Sequence, residues 1–337
     1  MEKIRLFIAA FLLLAAASGC SKENIAPDSS WQEVFPIEIS IPQPAVKASP
    51  APDETKVNSL QIYVFRSNGG LEAYGKAMSS KVVTQCTSGP KVIVALANAP
   101  DIRDARTKAE LDARISDLKE NSPGSFVMYG TVSREVSASS GTITIPVTRM
   151  VARVSIQKIT NRLDLPQYAG SSIQIRRIYL VNAAGNMKYG DTSYDVKSVK
   201  ADAFAPTVWY NTGACKGDGD LPALLNSKEL SSATASPSAP YTVAHYFYCY
   251  PNPTATDSQT GTARYTRLVV EVSIDGRLCY YPISIPGIKN NHTYNISELV
   301  ITHIGSDSPD TPITYNEASF TVTVNPWQDG SDSSVTI

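Results

Sequence analysis

Few side chains in this sequence are equipped for chemistry, and their spacing limits what they can do. The three histidines, His245, His292 and His303, are each isolated, with no second histidine at ligand spacing. A metal site or a general base draws on several such groups at once, so each reads as a structural histidine. Cys86, Cys215, Cys249 and Cys279 contain no C-x-x-C pair, which removes the usual redox and zinc motifs. One disulfide is open to them in an oxidising compartment, but four cysteines allow three full pairings, and buried free thiols are the expectation. Asp218-Gly219-Asp220 offers two calcium-type ligands without the rest of an EF-hand loop, and reads as a solvated turn. Dinucleotide, phosphate-loop, zinc-protease and nucleophile-elbow signatures are all missing. The aromatic run Tyr241, Tyr246, Phe247, Tyr248 and Tyr250 fits either a sugar platform or cross-strand core packing, and core packing is the commoner use of strand aromatics. The expectation is a protein that is no enzyme and takes no cofactor.

Composition points the same way. The chain has 337 residues, 30 basic against 31 acidic, with 42% hydrophobic and 18% charged content. That leaves no basic footprint, so nucleic acid is not an expected partner. Long charged helices are disfavoured by the low charge. The 22 Pro, 19 Gly and 17 Tyr favour many short strands joined by turns.

The N-terminus reads as an export signal. Lys3 and Arg5 precede the apolar run Leu6 to Ala17, which is too short to span a bilayer as a stable helix. The ending Ala17-Ser18-Gly19-Cys20 resembles a bacterial lipobox, with Ala17 where Leu is commoner. On that reading residues 1–19 are a signal peptide, and Cys20 becomes the first residue and carries a palmitate-type lipid through its sulfur. The other reading is an ordinary secretory signal that happens to contain a cysteine. Residues 20–30 are a polar tether.

The elements that must position any working part are strands. Phe35, Ile37, Ile39 and Ile41 alternate with Pro36, Glu38, Ser40 and Pro42, giving one buried and one exposed face. The outward prolines donate no ladder bonds, which predicts an edge strand. A Pro-rich link follows, Gln43 to Asp53. Leu60 to Phe65 ends at the turn signal Asn68-Gly69-Gly70, and Lys91 to Asn98 reads as a central strand buried on both faces. One short helix is predicted after Thr107, capped through Glu110 and carrying Leu111, Ile115 and Leu118 as a stripe. Phe126 to Val132 and Thr142 to Ile156 return to strands, followed by Ile173 to Val181. A helical turn is expected within Leu221 to Leu230. Asp275-Gly276 between two alternating runs, Leu268 to Ile274 and Leu278 to Ile285, is a hairpin. Tyr294 to Ile301 and Phe320 to Val324 complete the set.

The last third of the chain carries a resemblance. Ile288-Lys-Asn-Asn-His-Thr-Tyr-Asn-Ile296, Leu299-Val-Ile301, the loop reaching Pro312-Ile313-Thr314, and Phe320-Thr-Val-Thr-Val324 before Asn325-Pro326-Trp327 resemble the closing segment of fimbrillins, the major fimbrial subunits or type V pilins. Lys91 to Asn98 and Arg149-Met-Val-Ala-Arg153-Val agree. The resemblance implies an all-β protein of two transthyretin-like β-sandwich domains, 31–149 and 150–337, with one short helix in the first. It further implies a lipoprotein precursor from which a protease removes an N-terminal strand (within 31–47), whose groove then takes the C-terminal strand of another subunit. Phe35, Ile37, Ile39 and Ile41 fit the removable strand; Phe320, Val322, Val324, Trp327, Val335 and Ile337 fit the donor end. Expected partners are other fimbrial subunits, in a self-polymer or with minor subunits, a processing protease, the outer membrane through the lipid, and a host or bacterial surface ligand. The expected location is a lipid-anchored precursor on the outer membrane and then a cell-surface fimbrium that supports adhesion.

One departure matters. The family commonly cuts after Arg, and no Arg lies between Arg5 and Arg66; Lys47 takes that place, with cleavage at Lys47-Ala48, and Lys56 is a second option. Without a cut the chain would keep its lipid and its strand and serve as an anchor or terminator. A surface glycan-binding lipoprotein is the alternative from a different class.

Overall fold

The alternation that opens the chain does form a strand, and the rest of the N-terminal half is built around it. The computed structural model describes residues 33–42, 54–193, 206–211, 221–252, 254, 257, 264–313 and 317–326. Strand β1 (Val34–Ser40) is followed by β2 (Leu60–Arg66), β3 (Leu71–Ala77), β4 (Lys81–Thr87) and β5 (Gly89–Ala97). Helix α1 (Lys108–Ala113) and the short β6 (Ile115–Asp117) precede β7 (Met128–Val136), β8 (Ile143–Thr144) and β9 (Thr148–Arg149). These strands make two layers. One is the five-stranded sheet β3-β2-β5-β7-β9, and the other is the three-stranded sheet β4-β1-β8. Leu60, Ile62, Val64, Ile93, Ala95 and Met128 of the first face Phe35, Ile37, Ile39, Val82, Ile143 and Ile145 of the second across one apolar core.

The opposite face of the five-stranded sheet is also covered. Tyr63, Phe65, Val94, Leu96 and Tyr129 join the core that continues through the C-terminal half. Burial on both faces explains why Leu60–Phe65 and Ile93–Ala97 are continuous apolar runs and do not alternate.

The second half adds β10 (Ala152–Ile156), β11 (Ile159–Asn161), β12 (Ile173–Val181), β13 (Ala183–Ala184) and β14 (Asn186–Lys188). Then come β15 (Trp209–Tyr210), β16 (Thr234–Ala235), β17 (His245–Cys249), β18 (Thr266–Ile274), β19 (Arg277–Ile285), β20 (His292–Ile301) and β21 (Ala318–Pro326). The sheet β11-β20-β10-β17, with β21 on the far side of β20, packs against the sheet β16-β12-β18-β19. Asp275 and Gly276 both have positive φ (49° and 82°), the requirement of the tight hairpin turn between β18 and β19. The two halves are stitched by β6 pairing with β14.

Three expectations change. The strand at Thr142–Ile156 is three short strands in three sheets, because the chain passes here from one sandwich to the other. The helix ends at Ala113. Leu111 and Leu118 are buried, but Ile115 is 48% exposed because it sits in β6, whose ladder to β14 replaces a second helical turn. Within Leu221–Leu230 the structure has a single turn, Leu225 N–H to the Pro222 carbonyl, and no helix. Among the described residues no helix is long and apolar enough to cross a membrane.

Candidate functional site

β1 buries Phe35 (6% exposed), Ile37 (3%), Ile39 (0%) and Ile41 (4%) and turns Val34, Pro36 and Glu38 outward or toward the rim. The expected edge strand is instead the middle strand of its sheet. It runs antiparallel to β4 from Val34↔Thr87 to Ser40↔Lys81 and parallel to β8 at Ile39↔Ile143 and Ser40↔Thr144. Pro36 is accommodated because β8 reaches only the last residues of β1, so at Pro36 the ladder has one neighbour. Among the described strands, β4 and β8 have no ladder partner other than β1. Glu38 reinforces the arrangement from the solvent side, accepting bonds from Thr142 Oγ1 (2.9 Å) and Lys81 Nζ (3.3 Å). The Thr142 bond, with Lys81 beside it, holds the Glu38 carboxyl below the usual carboxylate range.

The walls of this slot are held by contacts that do not involve β1. On one side, Gly75 of β3 lets β4 approach so closely that a Cβ there would meet Val82 and Thr84. At its far end Glu72 of β3 accepts from Thr87 N and Thr87 Oγ1 (both 2.7 Å) and pairs with buried Lys91 (2.6 Å). Burial opposes ionisation of Glu72, but the bonds from Lys91 and Thr87 outweigh it and keep its carboxyl below the usual range. On the other side, the segment after β8 lies on Gly130 of β7, where a Cβ would meet the Pro146 carbonyl. The β4 wall includes Cys86, whose Cα partner is Phe35 and which is buried in the same apolar core. Burial pushes the Cys86 thiol up from its ordinary value.

At the other end of the chain, β21 runs antiparallel to β20 from Ala318↔Ile301 to Pro326↔His292 and has no neighbour on its outer side among the described strands. Ala318 and Val322 are buried, Phe320 and Val324 are half-buried against the C-terminal core, and Ser319 and Thr321 are exposed. Trp327, Val335 and Ile337 lie outside the described residues, as do Cys20, Lys47, Ala48, Cys215 and Asp218–Asp220. Lys56 is described and exposed.

Just before Lys56 stands a residue that the sequence did not single out. Glu54 accepts from Tyr248 Oη (2.7 Å) and, through both carboxylate oxygens, from Arg153 Nη1 (3.1 and 3.0 Å), while its carbonyl accepts from Arg149 Nε (2.8 Å). Burial pulls the Arg149 guanidinium down to about 10, with the Glu54 charge acting in the other direction. The available signal was Arg149 and Arg153 four apart in an apolar segment, since buried cations require a counter-charge.

The other chemical candidates resolve into structure. His245 Nε2 pairs with Tyr241 Oη (2.9 Å), His292 Nδ1 with the Asn290 carbonyl (2.7 Å), and His303 with Asp164 (3.3 Å). Cys86, Cys249 and Cys279 are buried free thiols, and the described residues hold no cluster of metal-ligating type. Phe247, Tyr248 and Tyr250 are buried, with the Tyr248 ring tilted against Phe126 (centroids 4.5 Å) and Tyr250 Oη bonded to Ser116 and Asn121. They are core and seam residues and form no platform, while Tyr241 and Tyr246 lie half-buried beside them.

This all-β architecture is shared with solved fimbrilin structures. The chain is similar to the fimbrilin FimA of Porphyromonas gingivalis W83 (17% identity, TM-score 0.64, covering 87% of this chain and 97% of that one). It is similar also to a putative cell adhesion protein of Bacteroides eggerthii (17%, 0.62, 88% and 96%) and to the tip fimbrial protein Mfa3 of P. gingivalis (14%, 0.51, 87% and 100%). No curated protein sequence matches it. Residues 38–169 match the family model of the major fimbrial subunit protein (FimA), which bears out the resemblance read from the sequence. That family is made of structural and adhesion proteins, not enzymes; its setting is the cell-surface fimbrium, with other fimbrial subunits as partners.

Proposed function

We propose that this chain is a fimbrial subunit, exported as a lipoprotein through Cys20, that polymerises when proteolysis removes β1 and the C-terminal strand of another subunit takes its place. The observation that carries the reading is the position of β1, the sole ladder partner of two strands whose seats are built independently of it. Losing β1 leaves two unsatisfied strand edges facing one another over an apolar floor. A strand from a second chain restores both ladders and refills the pockets. β21 offers a matching pattern: Phe320-x-Val322-x-Val324 has the order, aromatic then two aliphatics, of Phe35-x-Ile37-x-Ile39.

Four buried apolar side chains contribute about 1.5–3 kcal/mol each, so resident and incoming strands compete at similar strength. While tethered, β1 wins by effective concentration; a cut in the link to β2 removes that advantage. On this reading the two sandwiches are the domains 31–149 and 150–337, Lys47-Ala48 is the processing site, and the donor end comprises Phe320, Val322, Val324 and the residues through Trp327, Val335 and Ile337. The growing fimbrium supports adhesion through a surface ligand of its host or of other bacteria, and an uncut copy that keeps its lipid anchors or terminates the polymer in the outer membrane.

The experiment uses the exported protein with and without protease treatment. Ladders of multimers resisting detergent but dissociating on heating are expected after cleavage, and deletion from Phe320 onward abolishes them. A cleaved product that stays strictly monomeric with its C-terminus intact rules the mechanism out.

A further inference from the structure

Glu54 sits where three parts of the molecule meet. Its carboxylate, whose side chain is 2% exposed, faces Arg153 and Tyr248, and its carbonyl faces Arg149, which is fully buried. Arg149 and Arg153 belong to the segment crossing between sandwiches, and Tyr248 to a C-terminal strand, its ring packed at a tilt against Phe126 of the N-terminal half. Arg153 is further held over the Tyr246 ring, 5.6 Å from its centroid. Two residues on, the chain is clamped again. Asn98 Nδ2 donates to the Lys56 carbonyl (2.8 Å), Asn98 Oδ1 accepts from Asn58 N (2.7 Å), and Asn58 Nδ2 donates to the Gly124 carbonyl (2.9 Å). Val57 between them packs on the core beneath β1.

We infer that Glu54 is a positioning residue marking the first permanent point of the assembled subunit. A cut N-terminal to it frees β1 and leaves the body seated, whereas the Lys56–Val57 bond is closed to proteases. This rests on the strand-removal reading above and assigns its boundary. The chemistry is direct. A protease must draw several residues around the scissile bond into an extended conformation and polarise the carbonyl before it. The Lys56 carbonyl is already committed to Asn98. Pulling the preceding residues outward takes the Glu54 carboxylate from the half-buried Arg153 guanidinium and its carbonyl from the buried Arg149 guanidinium, which weakens charge compensation in the interior. The charge of Glu54 and the Tyr248 hydroxyl that bonds it, and not chain length, therefore determine which lysine in this region is cut.

The test is a time course of trypsin digestion of the full exported protein, with the new N-termini read by mass. In the wild type the fragment beginning at Ala48 is expected to accumulate and the fragment beginning at Val57 to be absent. In Glu54→Gln, which keeps the shape and removes the charge, the Val57 fragment is expected to appear at least about tenfold faster, because cleavage follows the population of the locally opened chain. Tyr248→Phe, which removes one hydroxyl, gives a smaller increase and covers the case in which Glu54→Gln fails to fold. Wild-type cleavage at Lys56 as fast as at Lys47, or Lys56 resistance unchanged in both variants, overturns the inference. Thiol labelling of Cys86 in the same digests separates the two claims. A Cys86 that stays unreactive after the Ala48 fragment has formed counts against strand removal and leaves the Glu54 assignment standing.

Discussion

Cys86 is a built-in reporter at the residue scale. Phe35 lies over it in the β1–β4 ladder, and burial keeps the thiol protonated. Alkylation by a small maleimide at pH 8 is expected to be negligible in the intact protein, fast once β1 has left, and slow again when a second chain fills the slot. Ile39, fully buried, carries the packing: Ile39→Ala is expected to cost about 2–4 kcal/mol, read as a lowered thermal midpoint. Glu72 sets an acid limit. Its folded-state pKa lies below the unfolded one, so its contribution is complete at neutral pH and fades as pH falls through the folded value. Glu72→Gln is expected to lower stability by about 2–3 kcal/mol at pH 7 by taking the counter-charge from buried Lys91, and to flatten the loss seen below about pH 4. Denaturant titrations at pH 7 and pH 3 measure both effects.

Among the elements, the contrast between β1 and β21 would, on the proposed mechanism, set the direction of exchange. Among the described strands β1 has two neighbours and buries its whole inward row, while β21 has one neighbour and buries two of its four inward side chains completely. β21 is therefore the easier of the two to lift from its own body, and on the proposed mechanism the slot of β1 in a second copy would offer it a second ladder. The slot in turn depends on two glycines. Gly130→Ala pushes a methyl group into the Pro146 carbonyl and is expected to cost about 1–3 kcal/mol by displacing the segment that carries Ile145 and Val147. If that segment forms one wall of the slot, Gly130→Ala slows multimer formation by more than its loss of stability accounts for, as a comparison of melting and polymerisation rates of the cleaved protein will show.

For the whole molecule, the core of the C-terminal sandwich runs on beneath the five-stranded sheet of the first. On the proposed mechanism, force along a fimbrium would pass from one slot through this continuous core to the donor strand. Val322→Asp places a charge at a buried position of β21 and, on the proposed mechanism, in the pocket of the next subunit. It is expected to abolish ladders after cleavage, and mixing it with wild-type protein yields chains that stop where it donates, a dose-dependent shortening visible by electron microscopy.

Much of this was legible locally. The alternation at Phe35–Ile41, the Asp275-Gly276 turn and the Thr107 cap, which accepts from Glu110 N, follow from short-range rules and stand where the residues put them. β3 and β4 were not legible, because Leu71–Ala77 contains Gly75 and Lys81–Thr87 alternates Val82, Thr84 and Cys86 among polar residues too weakly to signal a strand. Nor was the role of Glu54, one acid at the end of a Pro-rich link, since its partners lie 95 to 194 residues away. The sequence by itself determined the fold class, a strand-rich chain with an apolar strand near each end, because periodicity and turn chemistry are local. Only the tertiary structure decided that β1 is a central strand and not an edge, and that Glu54 is tied to Arg149, Arg153 and Tyr248. Both depend on which distant segments share a ladder or a buried charge, and nothing in the spacing along the chain records that.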